Sequence, residues 1–224
     1  MKDKLTMLYT TDLHGFLVAD SYLNDQRSSH GLLQAASLIK RIRREEPEVI
    51  YFDNGDTLSG SLISLRCGED MRYSNPMVNC LNELDCAFSV VGNHEFDFGR
   101  KYLDKAVEQS DFPWLGCNVV KNRGGSPAFG PKWHLQVTRC ERKIAFVGVS
   151  TVETAELAHE DAIKGLTFVD PIVALEPIMK EIKEEKVDLI VVSYHGGYDS
   201  KIPYWSQESP ADCELESKIC QKYP

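Results

Sequence analysis

The chain has 224 residues and a mass of 25.3 kDa, which excludes a peptide hormone or a disulfide-stapled mini-protein and suits one compact domain. Hydrophobic residues make up 42% and charged residues 26% of the chain, so a disordered or collagen-like protein is excluded as well. The 25 Lys and Arg against 34 Asp and Glu give a net charge of −9, and the basic run at 40–44 leads directly into two glutamates. We therefore expect no duplex nucleic acid partner.

The cysteines and the N-terminal segment indicate the cellular compartment of the protein. The seven cysteines form no Cys-x-x-Cys pair, and an odd number leaves at least one thiol unpaired. The N-terminus lacks the apolar stretch of a signal peptide, and no window approaches about 18 consecutive apolar residues. We expect reduced thiols, a cytoplasmic location and no membrane partner, and the sequence leaves the oligomeric state open.

The first half of the chain alternates predicted strands and helices. Residues 5–10 alternate apolar and polar side chains, which is typical of a strand, and a polar loop follows. Residues 31–46 place one set of apolar side chains on a single helical face: Leu32, Leu33, Ala35, Ala36, Leu38, Ile39 and Ile42. The pattern continues with a strand at 49–52, a Gly/Ser-rich loop, a helix at about 76–84, a strand at 87–91 and a helix at about 101–109.

The second half changes character. Residues 133–138 and 143–149 predict an antiparallel hairpin. Residues 171–185 predict a helix that Pro177 either kinks or restarts, because proline removes a backbone donor. The apolar run at 187–192 predicts a buried strand. Strands alternating with helices, together with one hairpin, indicate an α/β fold in a single domain spanning residues 1–224.

Polar clusters follow four of the predicted strands, at the point where each strand ends. They are Thr11-Asp12-Leu13-His14, Asn54-Gly55-Asp56, Gly92-Asn93-His94-Glu95 and Tyr194-His195-Gly196. In open α/β sheets, sites gather at the carboxyl ends of strands, so we expect these clusters to converge. Gly-Asn-His-Glu is expected by chance only about 0.001 times in a chain of this composition. This tetrapeptide is therefore the most specific signal.

The clusters offer a mixed set of nitrogen and oxygen donors. The imidazoles are His14 and His195, the carboxylates are Asp12 and Asp56, and Asn93 adds an amide oxygen. Such a set without thiolate suits Mn, Fe, Zn or Mg. Two cations about 3.5–4 Å apart, bridged by a carboxylate, activate a shared water and clamp a phosphoryl group. The donor set predicts metal-dependent phosphoester hydrolysis.

The motifs also carry a family resemblance. Asp12-Leu13-His14-Gly15, Gly55-Asp56-Thr57, Gly92-Asn93-His94-Glu95-Phe96-Asp97 and Ser193-Tyr194-His195-Gly196-Gly197 resemble, in order, the motifs of the calcineurin-like metallophosphoesterases. The Gly-Asn-His-Glu-Phe-Asp segment resembles the 5′-nucleotidase and 2′,3′-cyclic-nucleotide phosphodiesterase branch. The resemblance implies a four-layer αββα sandwich and a small-molecule phosphoester substrate, most simply a nucleotide.

The resemblance also implies roles for individual residues. Asp12, His14 and Asp56 would hold a first divalent metal ion, and Asp56 would bridge to a second ion bound by Asn93 and His195. A hydroxide bridging the two ions would be the nucleophile.

Two further residues have implied roles in catalysis. His94 would face the phosphate, stabilise the transition state and assist the leaving oxygen. Asp97 would hold the imidazole of His94 in orientation, as carboxylates commonly do for histidine.

One departure from the family pattern affects the end of the chain. The family supplies further ligands from a Gly-His-x-His turn after one more strand, and no histidine follows His195. Residues 213–223 resemble the helix that leads into that strand. We therefore expect the chain to stop short of the final core strand or strands, to lack the substrate-binding domain of the nucleotidases and to have low activity alone. The alternative is a catalytically silent or weakly active binding or scaffold version of the fold.

Several of these residues also fit purely structural roles. His14, Asp56 or Asn93 alone is equally compatible with a turn or a cap, and it is the four clusters in family order that favour a site. Asp53 is predicted to be a packing or turn residue and Glu95 a backbone anchor. Structural or surface roles are predicted for the histidines outside the motifs, which are His30, His134 and His159. Ser59, Ser61 and Ser64 lie in no G-x-S-x-G motif and are not predicted nucleophiles.

Overall fold

The computed structural model describes residues 4–18, 31–197 and 222. The strands are β1 (Thr6–Thr10), β2 (Val49–Asp53), β3 (Ser89–Val90), β4 (Trp114–Leu115), β5 (Val119–Lys121), β6 (His134–Val137), β7 (Lys143–Ser150), β8 (Leu166–Phe168) and β9 (Leu189–His195). The helices are α1 (Leu32–Glu45), α2 (Leu62–Glu69), α3 (Pro76–Glu83), α4 (Arg100–Gln109), α5 (Thr154–Leu157), α6 (Glu160–Ile163) and α7 (Pro171–Glu184), with a 3₁₀ turn at His94–Phe96.

Two sheets form the centre of the molecule. The first sheet has the order β1-β2-β3-β4, and all its neighbours are parallel. The second sheet has the order β6-β7-β9, in which β7 is antiparallel to β6 and parallel to β9. A separate antiparallel pair joins β5 and β8. The predicted hairpin at 133–149 is therefore confirmed.

The two sheets pack face to face through aromatic side chains. Phe52 and Phe88 of the first sheet stack with ring centroids 4.7 Å apart. Phe146 of the second sheet lies 4.9 Å from Phe88, and all three rings belong to one buried cluster. Alternate residues of β2 and β7 point to this cluster, which leaves the others to face the helices.

Helices cover the outer face of each sheet. Helices α1, α3 and α4 pack on the first sheet through Ala36, Met77, Leu81 and Leu103 in a cluster that includes Tyr51 of β2. Helix α7 packs on the second sheet through the buried residues Leu175, Ile178, Met179 and Ile182, against Ala145, Val147 and Val149. Strands β2 and β7 are buried along nearly their whole length because both of their faces are covered. The predicted four-layer αββα sandwich is confirmed.

Several element predictions are corrected in detail. Leu33 and Leu38, predicted on the apolar face of α1, are 47% and 46% exposed, and the buried residues are Leu32, Ala36 and Ile39. Helix α7 runs through Pro177 as one element. The apolar run at 187–192 was predicted to be a buried strand, but in strand β9 Leu189 is exposed and residues 190–192 are only partly buried; among the described strands, β9 pairs on one side only, with β7.

Some elements were not predicted, and some predictions fall outside the described residues. Helix α2 lies inside the predicted Gly/Ser-rich loop, and β8 had no predicted counterpart. Of the predicted helix at 213–223, the structure describes only residue 222, which is helical, and the rest lies outside the described residues. In the ranges that the structure describes, no helix is long and apolar enough to cross a bilayer.

Candidate functional site

Four strand ends meet at one edge of the sandwich. The first three clusters follow β1, β2 and β3, which are parallel neighbours in the first sheet, so their loops emerge side by side. His195 ends β9 of the second sheet. The side chains line a crevice of about 280 Å³, whose walls include Asp12, His14, Asp56, Asn93, His94 and His195. The expected convergence of the clusters is present.

Asp12, His14 and Asp56 form the first group of donors. One candidate ligand atom from each residue lies within 4.8 Å of the others. Nε2 of His14 is 3.8 Å from Oδ1 of Asp12. Two carboxylates and an imidazole at this spacing fit a divalent cation of the Mn, Fe, Zn or Mg group.

The backbone holds these three donors in an uncommon conformation. Asp12, His14 and Asp56 have φ of 54°, 47° and 55°, in the left-handed region that non-glycine residues rarely adopt. Backbone hydrogen bonds fix the conformation, because the N–H of Asp12 donates to Gly55 O at 3.0 Å and that of His14 donates to Asp56 O at 2.8 Å. The loops after β1 and β2 are thus joined into one unit. Backbone strain of this kind is common at functional sites.

His195, Asp56 and Asn93 form the second group. Nε2 of His195 is 3.2 Å from Oδ2 of Asp56 and 3.2 Å from Oδ1 of Asn93. Nδ1 of His195 lies 2.6 Å from the carbonyl oxygen of Asn54, which fixes the proton on Nδ1 in the neutral ring and leaves Nε2 for a ligand. A carbonyl partner of this kind is the usual support of a metal-bound histidine.

The charges of Asp56 and His195 are tightly linked. Burial lowers the pKa of His195, but the hydrogen bond and the negative charge of Asp56 outweigh burial and raise that pKa to about 9. Burial raises the pKa of Asp56, and the same partnership reverses this effect, so that the pKa is lowered overall. Asp56 therefore stands between the two groups of donors as a carboxylate.

His94 lies beside these donors and is oriented by Asp97. Its Nδ1 is 2.9 Å from Oδ2 of Asp97, and its ring meets that of His14 edge-on at 5.1 Å. Burial lowers the pKa of His94, but the hydrogen bond and charge of Asp97, with the charge of Asp56, raise it overall. The implied pairing of His94 with Asp97 is present in the geometry.

Glu95 anchors the backbone of two loops. Its buried carboxylate accepts hydrogen bonds from the N–H groups of Asp56 at 2.9 Å, Thr57 at 2.7 Å, Leu58 at 3.2 Å and Gly92 at 2.6 Å. Burial and the nearby charge of Asp56 raise the pKa of Glu95 to about 7. This side chain faces backbone donors, as predicted for a backbone anchor.

Asp53 has the structural role predicted for it. Its carboxylate is fully buried and accepts hydrogen bonds from the hydroxyls of Thr10 at 2.7 Å, Thr57 at 2.7 Å and Ser89 at 2.9 Å. These bonds join the ends of β1, β2 and β3, so Asp53 sets the spacing of the strands that carry the donors.

Two residues of the site were not singled out from the sequence. Asn54 links the sheets, because its Nδ2 donates to Tyr194 O at 3.1 Å and its Oδ1 accepts from the hydroxyl of Ser193 at 2.6 Å. The hydroxyl of Ser59 donates to Asp97 at 2.6 Å. Asn54 was visible as part of a strand-end cluster, but no local signal pointed to Ser59.

Histidines outside the motifs take structural positions where they are described. His134 lies on β6 beside the aromatic core, 6.3 Å from Phe88, and burial lowers its pKa. His159 accepts from the N–H of Asp161 and begins α6. His30 lies outside the described residues.

Comparison with known proteins gives consistent matches. Residues 5–223 match the family model of calcineurin-like phosphoesterase. The chain is 29% identical to the 2′,3′-cyclic-nucleotide 2′-phosphodiesterase/3′-nucleotidase of Haemophilus influenzae, covering 89% of this chain and 32% of the relative. It is also 29% identical to the 5′-nucleotidase of Vibrio cholerae, covering 87% of this chain and 34% of the relative. The chain thus spans about a third of the length of these curated relatives.

A solved structure supports the fold. A candidate 5′-nucleotidase from Staphylococcus aureus superposes with a TM-score of 0.83 at 24% identity, covering 97% of this chain and 43% of that one. Its layers follow the same fold, and the family model spans the strand-end clusters. The chain belongs to the calcineurin-like phosphoesterase family.

Proposed function

We propose that residues 1–224 are the catalytic domain of a dinuclear metal-dependent phosphoester hydrolase that acts on nucleotides. The observation that supports this most directly is the crevice in which donors from four strand ends meet. The names of the Haemophilus influenzae and Vibrio cholerae relatives support a nucleotide as the substrate class.

The donors divide between two cation positions. Asp12, His14 and Asp56 would hold one ion, and Asp56 would be shared with a second ion held by Asn93 and His195. The fit rests on the nitrogen and oxygen donor set and on Nε2 of His195, which is left as a ligand atom because Nδ1 contacts the Asn54 carbonyl. Divalent ions bound there would supply an activated water and would neutralise the phosphoryl oxygens.

The charges that line the crevice explain why cations must bind before the phosphoester. Carboxylates of Asp12, Asp56 and Glu153 line the crevice, so it is anionic when no cation is bound. A phosphoester is repelled by that charge and attracted once divalent ions exceed it, because a bound ion is the largest local charge in such a site.

His94 is the proposed source of the proton for the leaving oxygen. It lines the crevice, and its side chain is 45% exposed, so a substrate oxygen can reach it. Asp97 holds Nδ1, and its hydrogen bond and charge raise the pKa of the ring against the effect of burial, which favours the protonated form of the ring. Positioned acids of this type contribute about 10²–10⁴-fold to rate.

The test is hydrolysis of a nucleoside 5′-monophosphate and a 2′,3′-cyclic nucleotide by chelator-treated protein, with and without added Mn²⁺. We expect turnover only with the metal, and we expect Asp56→Asn to lower it by about 100-fold or more, since even outer partners of metal ligands cost about 10–100-fold. Asp85→Asn is the matched control, because the Asp85 side chain is 92% exposed and outside the crevice.

The outcomes separate the proposal from its rival. No bound metal and no turnover would overturn the proposal. Metal binding without turnover would identify the silent or binding version of the fold instead. The cytoplasmic location and the absence of duplex nucleic acid and membrane partners stay predictions.

A further inference from the structure

Ser59 connects the loop after β2 with the residue that holds His94. Its hydroxyl donates to Oδ2 of Asp97 at 2.6 Å. The same oxygen lies 2.9 Å from Nδ1 of His94. One carboxylate oxygen therefore accepts from both side chains, using its two lone pairs.

The two ends of this chain of contacts differ in exposure. Ser59 is 2% exposed, whereas the side chains of Asp97 and His94 are 43% and 45% exposed. A half-exposed carboxylate rotates freely unless a fixed donor orients it. Ser59 is the buried donor in this arrangement.

The backbone around Ser59 is firmly held. The N–H of Leu58 donates to Glu95 at 3.2 Å, and the carbonyl of Leu58 accepts from the hydroxyl of Tyr102 at 3.4 Å. On the other side, Gly60 has φ of +122° and approaches His14 so closely that an added Cβ would lie 2.8 Å from the His14 Cβ. The position of the Ser59 hydroxyl is therefore set by the same loop that carries the donors.

Other serines of this loop already have structural tasks. Ser61 caps α2, with Ser64 as its partner in a capping box. Ser59 takes no part in that cap. Its proton is directed at Asp97, so it is not placed as a nucleophile.

We propose that Ser59 is a positioning residue for His94 and acts through Asp97. This inference rests on the proposed function. The Ser59 hydroxyl keeps its proton throughout and holds the carboxylate of Asp97 in the orientation that accepts the hydrogen bond from Nδ1–H of His94, and that proton stays on Nδ1. Nε2 of His94 then gives its proton to the leaving oxygen as the P–O bond breaks, and the ring regains a proton from water.

The kinetic test compares leaving groups. Wild type, Ser59→Ala, Ser59→Thr and Ser64→Ala are assayed with Mn²⁺ on a nucleoside 5′-monophosphate, whose alkoxide needs a proton to leave, and on p-nitrophenyl phosphate, whose phenolate does not. We expect Ser59→Ala to lose about tenfold in kcat on the nucleotide at unchanged KM, and less than about twofold on the aryl ester. Ser59→Thr keeps the hydroxyl and should recover most of the rate.

Ser64→Ala is the matched control, because it removes a hydroxyl of equal burial, 2% exposed, from the adjacent cap. It should lower the melting temperature without a leaving-group effect. The loss from Ser59→Ala should not add to that from Asp97→Asn in the double variant, since the two side chains act as one unit. Should Ser59→Ala fail to fold, Ser59→Cys keeps the volume and removes the strong donor.

A second readout needs no activity. In metal-free protein, the Nδ1–H signal of His94 in the NMR spectrum, assigned by its loss in His94→Gln, should be sharp in wild type and in Ser64→Ala and broadened by exchange in Ser59→Ala. Equal losses on both substrates, or an unchanged His94 signal in Ser59→Ala, would overturn the role of Ser59 while leaving the proposed function intact. A wild type without turnover would instead reject the proposed function, and the NMR comparison would still decide the role of Ser59.

Discussion

His195 holds a proton at neutral pH before any cation binds. Its Nε2 faces Asp56 at 3.2 Å, and this partnership raises its pKa to about 9. Nε2 is also the atom that a metal would use, so a proton and a metal compete for it. The affinity for metal should therefore depend on pH through this one residue more than through the other donors.

We predict that metal binding releases about one proton from His195 below pH 9, and that the affinity for Mn²⁺ rises with pH up to about 9. The sign follows from the raised pKa, since the protonated ring persists at neutral pH and must lose its proton to bind. The measurement is calorimetry of Mn²⁺ binding in buffers of different ionisation enthalpy. His195→Asn should remove the released proton along with part of the affinity.

The control for this prediction is His159→Asn. His159 begins α6 by accepting from a backbone N–H, and asparagine is an equally good residue at that position. Proton release should be the same in this variant as in wild type. Equal proton release in wild type and His195→Asn would contradict the competition at Nε2.

The sequence predicted the positions of some donors at the site better than those of others. Asp12 and Asp56 follow parallel neighbouring strands, so strand-end logic alone brings them together. His195 was also expected at the site because it follows a predicted strand, but it belongs to the second sheet, and local periodicity does not say how two sheets pack together; its assignment to the second ion came from the family resemblance. Ser59 was beyond prediction, because its contact with Asp97 joins residues 38 positions apart and follows no repeated pattern.

Helix α7 contains a proline in its interior. Pro177 removes one backbone hydrogen bond from a helix whose buried face packs on the second sheet, and its own side is exposed. The buried residues on either side of it, Leu175 and Ile178, hold the helix in place in spite of the lost bond. Tertiary packing thus outweighs the tendency of proline to break a helix.

We predict that Pro177→Ala raises the free energy of unfolding by about 2 kcal/mol. Alanine is favoured over proline inside a helix by about 3 kcal/mol, and the looser unfolded chain offsets about 1 kcal/mol of this gain. Urea unfolding followed by circular dichroism measures the change.

Pro171→Ala provides the comparison within the same helix. Pro171 occupies the first turn, where no hydrogen bond is lost and the fixed φ of proline suits the helix. This variant should show no increase in the free energy of unfolding. A gain of equal size in both variants would show that the interior position of Pro177 is not the cause.

The sequence predicted those helices and strands whose apolar pattern extends over many residues, and it missed those whose pattern covers only a few. Helix α7 and strand β7 carry continuous apolar patterns that bury one or both faces. Helix α2 begins at a cap made by two serines inside a stretch rich in glycine and serine, so composition argued for a loop. Strand β8 has only three residues, which is too short for a period of two to stand out.

At the scale of the whole molecule, the two sheets depend on one shared aromatic core. Phe146 of the second sheet is fully buried against the stacked rings of Phe52 and Phe88 of the first. Asn118 adds a polar link, because its side chain exchanges two hydrogen bonds with the backbone of Ser150, at 2.8 Å and 2.9 Å. The sandwich should therefore unfold as one unit.

We predict that Phe146→Ala costs about 3–5 kcal/mol of stability, through lost burial and the cavity left behind. Phe146→Leu, which keeps most of the volume, should cost clearly less. Chemical unfolding measures both changes. A cost for Phe146→Ala no larger than that of Phe146→Leu would contradict the role of this core.

Two tryptophans make the cooperativity measurable. Trp114 is buried in the layer between the first sheet and its helices, and Trp133 packs against the layer of α7. The chain has a third tryptophan, Trp205, which is replaced by phenylalanine throughout. Variants that then keep either Trp114 or Trp133 should show coincident unfolding midpoints, with and without Phe146→Ala. Separate midpoints would mean that the two halves of the sandwich unfold independently.

The left-handed conformation of Asp12, His14 and Asp56 has a consequence for how this protein can evolve. Each such residue gives up roughly 1–2 kcal/mol relative to glycine. At Asp56 the buried pairing with His195 outweighs this gain, but at Asp12 and His14 selection for heat tolerance alone would favour glycine. Those two exchanges delete donors of the first group. A library screened only for survival on heating should therefore accumulate inactive clones with glycine at these codons, whereas a screen that also demands turnover should leave them untouched and find its gains elsewhere.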